Sequence, residues 1–86
     1  MKVWLSSHLR HYTANKTEVT ASGTTLAEAL ADLDRQYPGL TFRIIDEQGK
    51  IRPHINVYVN AEKVMKLEIP MKPTDEIHLI GALSGG

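Results

Sequence analysis

The sequence has no cysteine among its 86 residues. This absence excludes disulfide bridges and cysteine-based metal sites. It also leaves the chain without a side-chain thiol, the group on which a protein would hold sulfur as a persulfide. If the chain handles sulfur covalently, it must do so through another group.

The sequence also lacks an excess of charge of either sign, because ten basic residues balance ten acidic ones. A neutral chain gives no bulk electrostatic attraction to nucleic acid or to an anionic membrane. No apolar run approaches the length of about 20 residues that a membrane span needs. No signal-peptide pattern is present, because the short apolar stretch after Lys2 runs directly into Ser6, Ser7 and His8. We therefore expect a cytoplasmic protein that binds neither nucleic acid nor membrane.

A chain of 86 residues fits one domain. A domain of this size buries only about 60% of the surface that its unfolded chain exposes. It can hold one modest core but no deep, enclosed active site. The length therefore favours a protein on which enzymes act over a protein that is itself an enzyme.

Motifs for catalysis or metal binding are sparse. The four histidines are His8, His11, His54 and His78. They form no compact cluster with carboxylates, whereas a metal site needs three or four converging ligands, so we interpret them as surface or strand residues and predict no metal. The Ser6-Ser7 pair near His8 lacks a third orienting group and an oxyanion-hole motif. We predict no catalytic residues.

Five segments show the patterns of β-strands. Residues 2–6 and 55–59 alternate apolar and polar side chains, which is typical of strands with one buried face. Residues 16–21 are rich in Thr and Val and are predicted to pair back on the first strand as a hairpin. A short strand begins at Val64 and a final one covers residues 76–80. Residues 8–15 lose the alternation and are predicted to form a loop.

A helix is predicted from about residue 25 to residue 37. Thr25 and Glu28 have the spacing of a capping box. An apolar stripe at helical spacing follows, and Pro38-Gly39 ends the helix. The stripe consists of Leu26, Ala29, Leu30, Leu33 and Tyr37. Residues 40–45 are apolar but too few to assign.

The order of these elements predicts a two-layer α+β domain with a mixed sheet of four or five strands packed on one main helix. We assign residues 1–81 to this domain and residues 82–86 to a flexible tail. The predicted core consists of Val3, Leu5, Leu26, Leu30, Leu33, Val57, Val59 and Ile77.

The sequence ends on Gly85-Gly86. A frayed end is one interpretation of this pair. The other is chemical: a residue without a side chain lets an enzyme and a nucleotide approach its carboxylate closely. Attack of that carboxylate on the α-phosphate of ATP would give an acyl adenylate, from which sulfide could displace AMP. Ala82 and Leu83 would supply apolar contacts beside the tail.

Several motifs resemble the ubiquitin-like sulfur carriers of the ThiS/MoaD type, which serve thiamine, molybdopterin and cysteine biosynthesis. They are the Ser-Gly-Thr-Thr-Leu segment at 22–26, Tyr-Pro-Gly-Leu at 37–40, Arg-Pro-His-Ile-Asn-Val-Tyr-Val-Asn at 52–60 and Ala-Leu-Ser-Gly-Gly at 82–86. The resemblance covers nearly the whole chain. Among the subgroups, the chain looks most similar to the cysteine-biosynthesis carriers.

This resemblance implies a β-grasp fold and a function. Gly86 would be adenylated by a separate E1-like enzyme that uses ATP and magnesium, while the chain itself would bind no cofactor. The carboxylate would then become a thiocarboxylate, which requires a sulfur donor and a sulfur-accepting biosynthetic enzyme as further partners. Ala82, Leu83, Ser84 and Gly85 would be the residues that the activating enzyme recognises beside Gly86.

The sequence departs from the family pattern at three places. Ala61 stands where many members have Gly, and Thr74-Asp75 replaces an Asp-Gly or Gly-Asp turn. Both changes concern turn geometry. Gly81 stands where many members have Pro before the terminal segment, and we expect it to loosen the tail.

Other functions remain open at this point. The chain could be the small subunit of molybdopterin synthase, a modifier joined to lysines of other proteins, or a β-grasp interaction module. The basic residues of the second half form a solvated surface or a docking face for an acidic enzyme. They are Arg43, Lys50, Arg52, Lys63, Lys66 and Lys72. Trp4 is interpreted as part of the fold, although on an open sheet face it would suit a protein contact.

Overall fold

The structure, a computed structural model, describes residues 1–81. The strands are β1 (Lys2–Leu5), β2 (Glu18–Thr20), β3 (Ile55–Val59), β4 (Glu62–Val64) and β5 (Glu76–Gly81). The helices are a 3₁₀ helix (Ser7–Thr13), α1 (Leu26–Gln36) and α2 (Leu40–Ile44). None of these helices has the length and hydropathy that crossing a bilayer requires.

The five strands form one mixed sheet in the order β2-β1-β5-β3-β4. The central pair, β1 and β5, is parallel, with Val3 opposite Ile77. The β1–β2 and β3–β4 hairpins are antiparallel and extend the sheet on either side. The predicted mixed sheet, the predicted hairpin and the β-grasp fold are confirmed.

Helix α1 begins as its sequence predicts, with one difference in the cap. The Thr25 hydroxyl accepts the Glu28 N–H at 3.2 Å. The Glu28 carboxylate turns back by one residue more than in a capping box and accepts the backbone N–H and the hydroxyl of Thr24, both at 2.8 Å. The Thr24 N–H bond, followed by the hydroxyl bond, lowers the pKa of Glu28. The bond to the Thr25 hydroxyl satisfies a donor that the first helical turn leaves open, and the bonds from Thr24 fix the residue before the cap.

The core lies between one face of the sheet and the helices. Leu26, Leu30 and Leu33 of α1 are completely buried, as their helical spacing predicts. Of the eight predicted core residues, only Val59 is half-exposed. Val59 is the last residue of β3, beside the turn at Asn60-Ala61, whereas Val57 lies in the middle of the strand.

The prediction of a loop at residues 8–15 is wrong in part, because the 3₁₀ helix Ser7–Thr13 occupies most of this segment. Leu9 is buried against the core. The buried hydroxyl of Thr13 lies 3.0 Å from the Arg10 carbonyl oxygen and 2.9 Å from that of Lys16. A short 3₁₀ helix whose buried side chains are one apolar residue and one polar residue leaves no apolar period in the sequence, which is why the alternation test missed it.

The unassigned residues 40–45 form the short helix α2, in which Leu40 and Ile44 are buried. Gly39 has φ of 96° and redirects the chain from α1 into α2. The Thr41 hydroxyl donates to the Leu30 carbonyl oxygen at 2.7 Å and joins the two helices.

The turn between β3 and β4 has positive φ at both central residues, 50° at Asn60 and 73° at Ala61. This is the turn in which Gly is usually preferred at the second position. The Asn60 side chain donates to the Asp75 carboxylate at 2.8 Å and accepts the Glu76 N–H at 3.0 Å. Asp75 also accepts the Lys72 N–H at 2.7 Å, so both departures from the family pattern in these turns are accommodated.

Candidate functional site

The residues that the sequence predicts as the site are Ala82, Leu83, Ser84, Gly85 and Gly86, and they lie outside the described residues. The structure does describe Gly81, the residue to which they are attached. The surfaces around Gly81 are therefore the described part of the candidate site.

Gly81 is held at the end of β5 from two sides. It pairs with Ile55 of the neighbouring strand β3. Its N–H donates to the Ser6 hydroxyl oxygen at 2.9 Å. The backbone of Ser6 is itself fixed, since its N–H donates to the Leu79 carbonyl oxygen at 3.0 Å. The point from which residues 82–86 continue is thus tied to both β1 and β3.

The expectation that Gly81 loosens the tail concerns residues outside the described part of the chain, and it stays a prediction. A proline at this position would have no N–H to offer the Ser6 hydroxyl, so the glycine contributes a bond that the usual family residue cannot make. A Cβ at position 81 would meet only ordinary contacts, 3.6 Å from the His8 Cβ and 3.6 Å from the Ile55 Cδ1. Within the described chain, the difference between Gly81 and the proline of other members therefore lies in the backbone N–H of the glycine and not in its small size.

A groove of about 460 Å³ opens beside Gly81. Its apolar lining includes Leu9, Ile55 and Phe42. Phe42 on α2 is 59% exposed, and its side chain is an aromatic surface beside the groove arginines. The Arg52 guanidinium lies 4.7 Å from the centre of the Phe42 ring, and its Nε donates to the Phe42 carbonyl oxygen at 2.7 Å. The aromatic ring and the guanidinium therefore hold each other in place on the wall of the groove.

Both signs of charge occur around the groove, and none of its charged side chains is in an ion pair within residues 1–81. Arg43, Arg52 and Glu47 line it. Within residues 1–81 the ion pair is Arg35 with Asp32, and neither groove arginine is in one. Asp46 lies close enough for the Arg52 charge to help lower its pKa, but the main cause is the hydrogen bond from the Lys50 N–H. The carboxylate of Asp46 is thus occupied by its own turn.

The second surface beside Gly81 is the open face of the sheet, which no helix covers in the described chain. Strand pairing places one row of side chains across it: Glu18, Trp4, His78, Tyr58 and Lys63. The Trp4 and His78 rings stack with centroids 6.1 Å apart. The Trp4 Nε1 is buried and has no hydrogen-bond partner among residues 1–81. Ile80, one residue before Gly81, is 40% exposed.

The other sequence candidates have different surroundings. Ser6, considered as a nucleophile with Ser7 and His8, accepts the Gly81 N–H and so positions the chain. The His11 ring packs on Tyr12 with centroids 4.1 Å apart. In the part of the chain that the structure describes, no group of three or more His, Asp or Glu residues could hold a metal ion.

The basic residues of the second half do not share one face. Arg43 and Arg52 line the groove, whereas Lys63 ends the row on the open sheet face. Sequence reasoning missed Ser6 and Phe42 as residues of this region. Phe42 left a signal, because it is a large apolar residue in a run that could not be assigned, but Ser6 left none.

A comparison with known protein families gives a match over residues 3–86 to the ThiS family. The match includes Gly85 and Gly86 as well as the described domain.

Individual relatives agree with the family match. The sulfur carrier protein CysO of Mycobacterium tuberculosis is 34% identical over 83 residues, which cover 91% of this chain and 89% of the relative. A chain of the Amycolatopsis orientalis BexX/CysO complex superposes with a TM-score of 0.89 at 33% identity, covering 99% of this chain and 98% of that one. Small archaeal modifier protein 3 of Haloferax volcanii is 31% identical over 65 residues, 72% of this chain and 70% of the relative.

Proposed function

The chain belongs to the ThiS family, and we propose that it is a ubiquitin-like sulfur carrier whose Gly86 carries sulfur as a thiocarboxylate. One observation carries the proposal: the family match runs through Gly86, and a relative named as a sulfur carrier is 34% identical across most of both chains. In this function the chain is a protein co-substrate, and an E1-like adenylating enzyme performs the chemistry.

The reaction has two steps. A carboxylate oxygen of Gly86 attacks the α-phosphorus of ATP, the bond to pyrophosphate breaks, and an acyl adenylate forms. Sulfide then attacks the carbonyl carbon and AMP leaves, so that one oxygen of the carboxylate is replaced by sulfur. No atom is oxidised or reduced. The activating enzyme supplies the ATP and magnesium sites, and the acceptor is a biosynthetic enzyme that removes the sulfur.

The domain contributes a fixed starting point for the reacting residue. Gly81 is held by Ile55 and by the Ser6 hydroxyl. The five residues that follow it reach at most about 17 Å when extended. Gly85 and Gly86 have no side chains, which allows an enzyme to enclose them closely. An enzyme that binds the folded domain therefore finds Gly86 within a restricted distance of that domain.

The test is thiocarboxylate formation on the chain ending at Gly86. With an activating enzyme of this type, ATP, magnesium and sulfide, we expect the intact mass to rise by the difference between one sulfur and one oxygen atom. Fragmentation should place the change on Gly86. The matched control adds one residue after Gly86, which keeps a carboxylate but moves it out of register with the nucleotide.

The extended control should gain no sulfur, and neither should a variant that lacks Gly86. The sulfur-carrier function is wrong if the extended chain gains sulfur as readily as the original chain. It is also wrong if the original chain never gains sulfur with an activating enzyme that binds it.

The similarity to a small archaeal modifier protein supports a second candidate, conjugation to other proteins. The same acyl adenylate would then be attacked by a lysine amine, which forms an isopeptide bond and releases AMP. Conjugates that survive a denaturing gel and contain Gly86 joined to lysine would demonstrate this activity. Their absence, together with thiocarboxylate formation, would restrict the chain to sulfur transfer.

A further inference from the structure

We propose that the groove lined by Phe42, Arg43 and Arg52 is a docking site for a carboxylate-bearing surface of the enzyme that activates Gly86. The proposal rests on the proposed function, because it assigns a contact surface to the same reaction. It adds a site on the folded domain itself, away from the terminal residues.

The short reach of the terminal residues makes this region part of the contact. Gly86 lies five residues beyond Gly81, so its Cα is no more than about 17 Å from that of Gly81. Gly81 itself lines the groove. An enzyme large enough to bind ATP and to enclose Gly86 must therefore cover surface close to Gly81. The groove and the end of the open sheet face are the two surfaces there.

The chemistry of the groove is that of a protein interface. Phe42 is an exposed aromatic residue, and Arg52 is stacked on it at 4.7 Å. Aromatic and arginine side chains are enriched among residues that dominate binding energy. The bond from Arg52 Nε to the Phe42 carbonyl oxygen fixes the guanidinium before a partner arrives. Less side-chain freedom is then lost on binding, which favours affinity.

The charges select an acidic partner. Neither arginine forms an ion pair within residues 1–81, and the terminal nitrogens of Arg52 make no hydrogen bond to the described chain. A guanidinium presents paired donors that match the two oxygens of a carboxylate. Glu47, which also lines the groove, balances one of the two positive charges and leaves the other for the partner.

The open sheet face differs from the groove in the charges that it offers to a partner. Its row ends in Glu18 on one side and Lys63 on the other, and its centre is the Trp4–His78 stack. That face would make mainly aromatic and apolar contacts. Arg10 lies beside Trp4 and His78, and its Nε donates to the Leu5 carbonyl oxygen at 3.0 Å. Reversing the charge of a groove arginine leaves Arg10 in place and therefore separates the two surfaces.

The experiment measures how the activating enzyme uses variants of the full chain. Arg43→Glu changes an exposed residue that makes no side-chain hydrogen bond in the described structure. We expect the KM for the chain in ATP–pyrophosphate exchange to rise about tenfold, an effect typical of an important interface residue, while kcat stays unchanged. Phe42→Ala should raise the KM in the same direction. Added salt should weaken binding of the original chain more than that of Arg43→Glu.

Lys66→Glu is the matched control. It makes the same change of charge at an exposed residue that follows β4 and does not line the groove, so its KM should equal that of the original chain. Circular dichroism and thermal melting would verify that all three variants fold.

Several results would overturn the docking proposal while leaving the sulfur-carrier function intact. They are an unchanged KM for both Arg43→Glu and Phe42→Ala, an equal rise for Lys66→Glu, or a fall in kcat alone. A lower KM for Arg43→Glu would mean that the groove binds the chain's own C-terminal carboxylate instead of the enzyme. Failure of the sulfur-carrier function is seen separately, as an original chain that is never adenylated.

Discussion

The core under α1 and the surface around Gly81 differ in what their side chains do. The side covered by α1 is closed, and Leu26, Leu30 and Leu33 have no exposed surface. Around Gly81, by contrast, Phe42 and Ile80 are exposed, and Arg43 and Arg52 form no ion pair within the described chain. Substitutions on the covered side should therefore change stability, and those near Gly81 should change binding.

The largest effect is expected for Leu30→Ala on the covered side. Removing a fully buried leucine side chain leaves a cavity and should lower the free energy of unfolding by about 2–5 kcal/mol. Chemical denaturation measures this loss. Leu30→Met, which nearly conserves volume, should cost less than about 1.5 kcal/mol. Equal and small losses for both variants would show that the covered side is not tightly packed.

A smaller effect on stability is expected for Ser6→Ala. This variant tests the comparison, because Ser6 lies near Gly81 but its substitution should change stability. The substitution removes the acceptor of the Gly81 N–H and should cost about 1 kcal/mol in the free energy of unfolding. Hydrogen exchange at the Gly81 amide should accelerate. Ser7→Ala, at an exposed neighbour, is the control and should leave both measurements unchanged. If the two variants behave alike, the Ser6 bond does not hold the end of β5.

The smallest effect on stability is expected for Phe42→Ala. The ring is 59% exposed and the Arg52 guanidinium stacks on it, so the loss should be below about 1 kcal/mol. The same variant is expected to bind the activating enzyme less well. A loss of stability as large as that of Leu30→Ala would place Phe42 in the core and abolish the distinction between the two regions.

Much of the fold could be predicted from local patterns. Helix α1 was predictable because its stripe repeats over three turns and because Thr25 and Glu28 mark its start. β1 and β3 were found from alternation, and β2 was found from its Thr and Val content, although it begins at Glu18, later than predicted. The start of β4 was wrong, because that strand was predicted to begin at Val64 but ends there, after a turn of only two residues. The 3₁₀ helix and α2 were missed because segments of five to seven residues are too short for a helical period to be seen.

The candidate site was less predictable, because its contacts join residues that are distant in sequence. Ser6 and Gly81 meet only because β1 and β5 pair in the centre of the sheet. Arg52 reaches Phe42 across the turn at Asp46. Gly86 itself, proposed from chemistry and resemblance, stays a prediction, as do Ala82, Leu83, Ser84 and Gly85.

The parallel pairing of β1 with β5 has a consequence for synthesis of the protein on the ribosome. The strand made first needs the strand made last as its central partner. Domains tend to fold as units as the chain emerges, and here the sheet cannot close until residue 81 has left the exit tunnel. Until then β1 lacks its central partner and the surface around Gly81 is not formed. An enzyme that recognises the folded surface around Gly81 would consequently ignore unfinished chains.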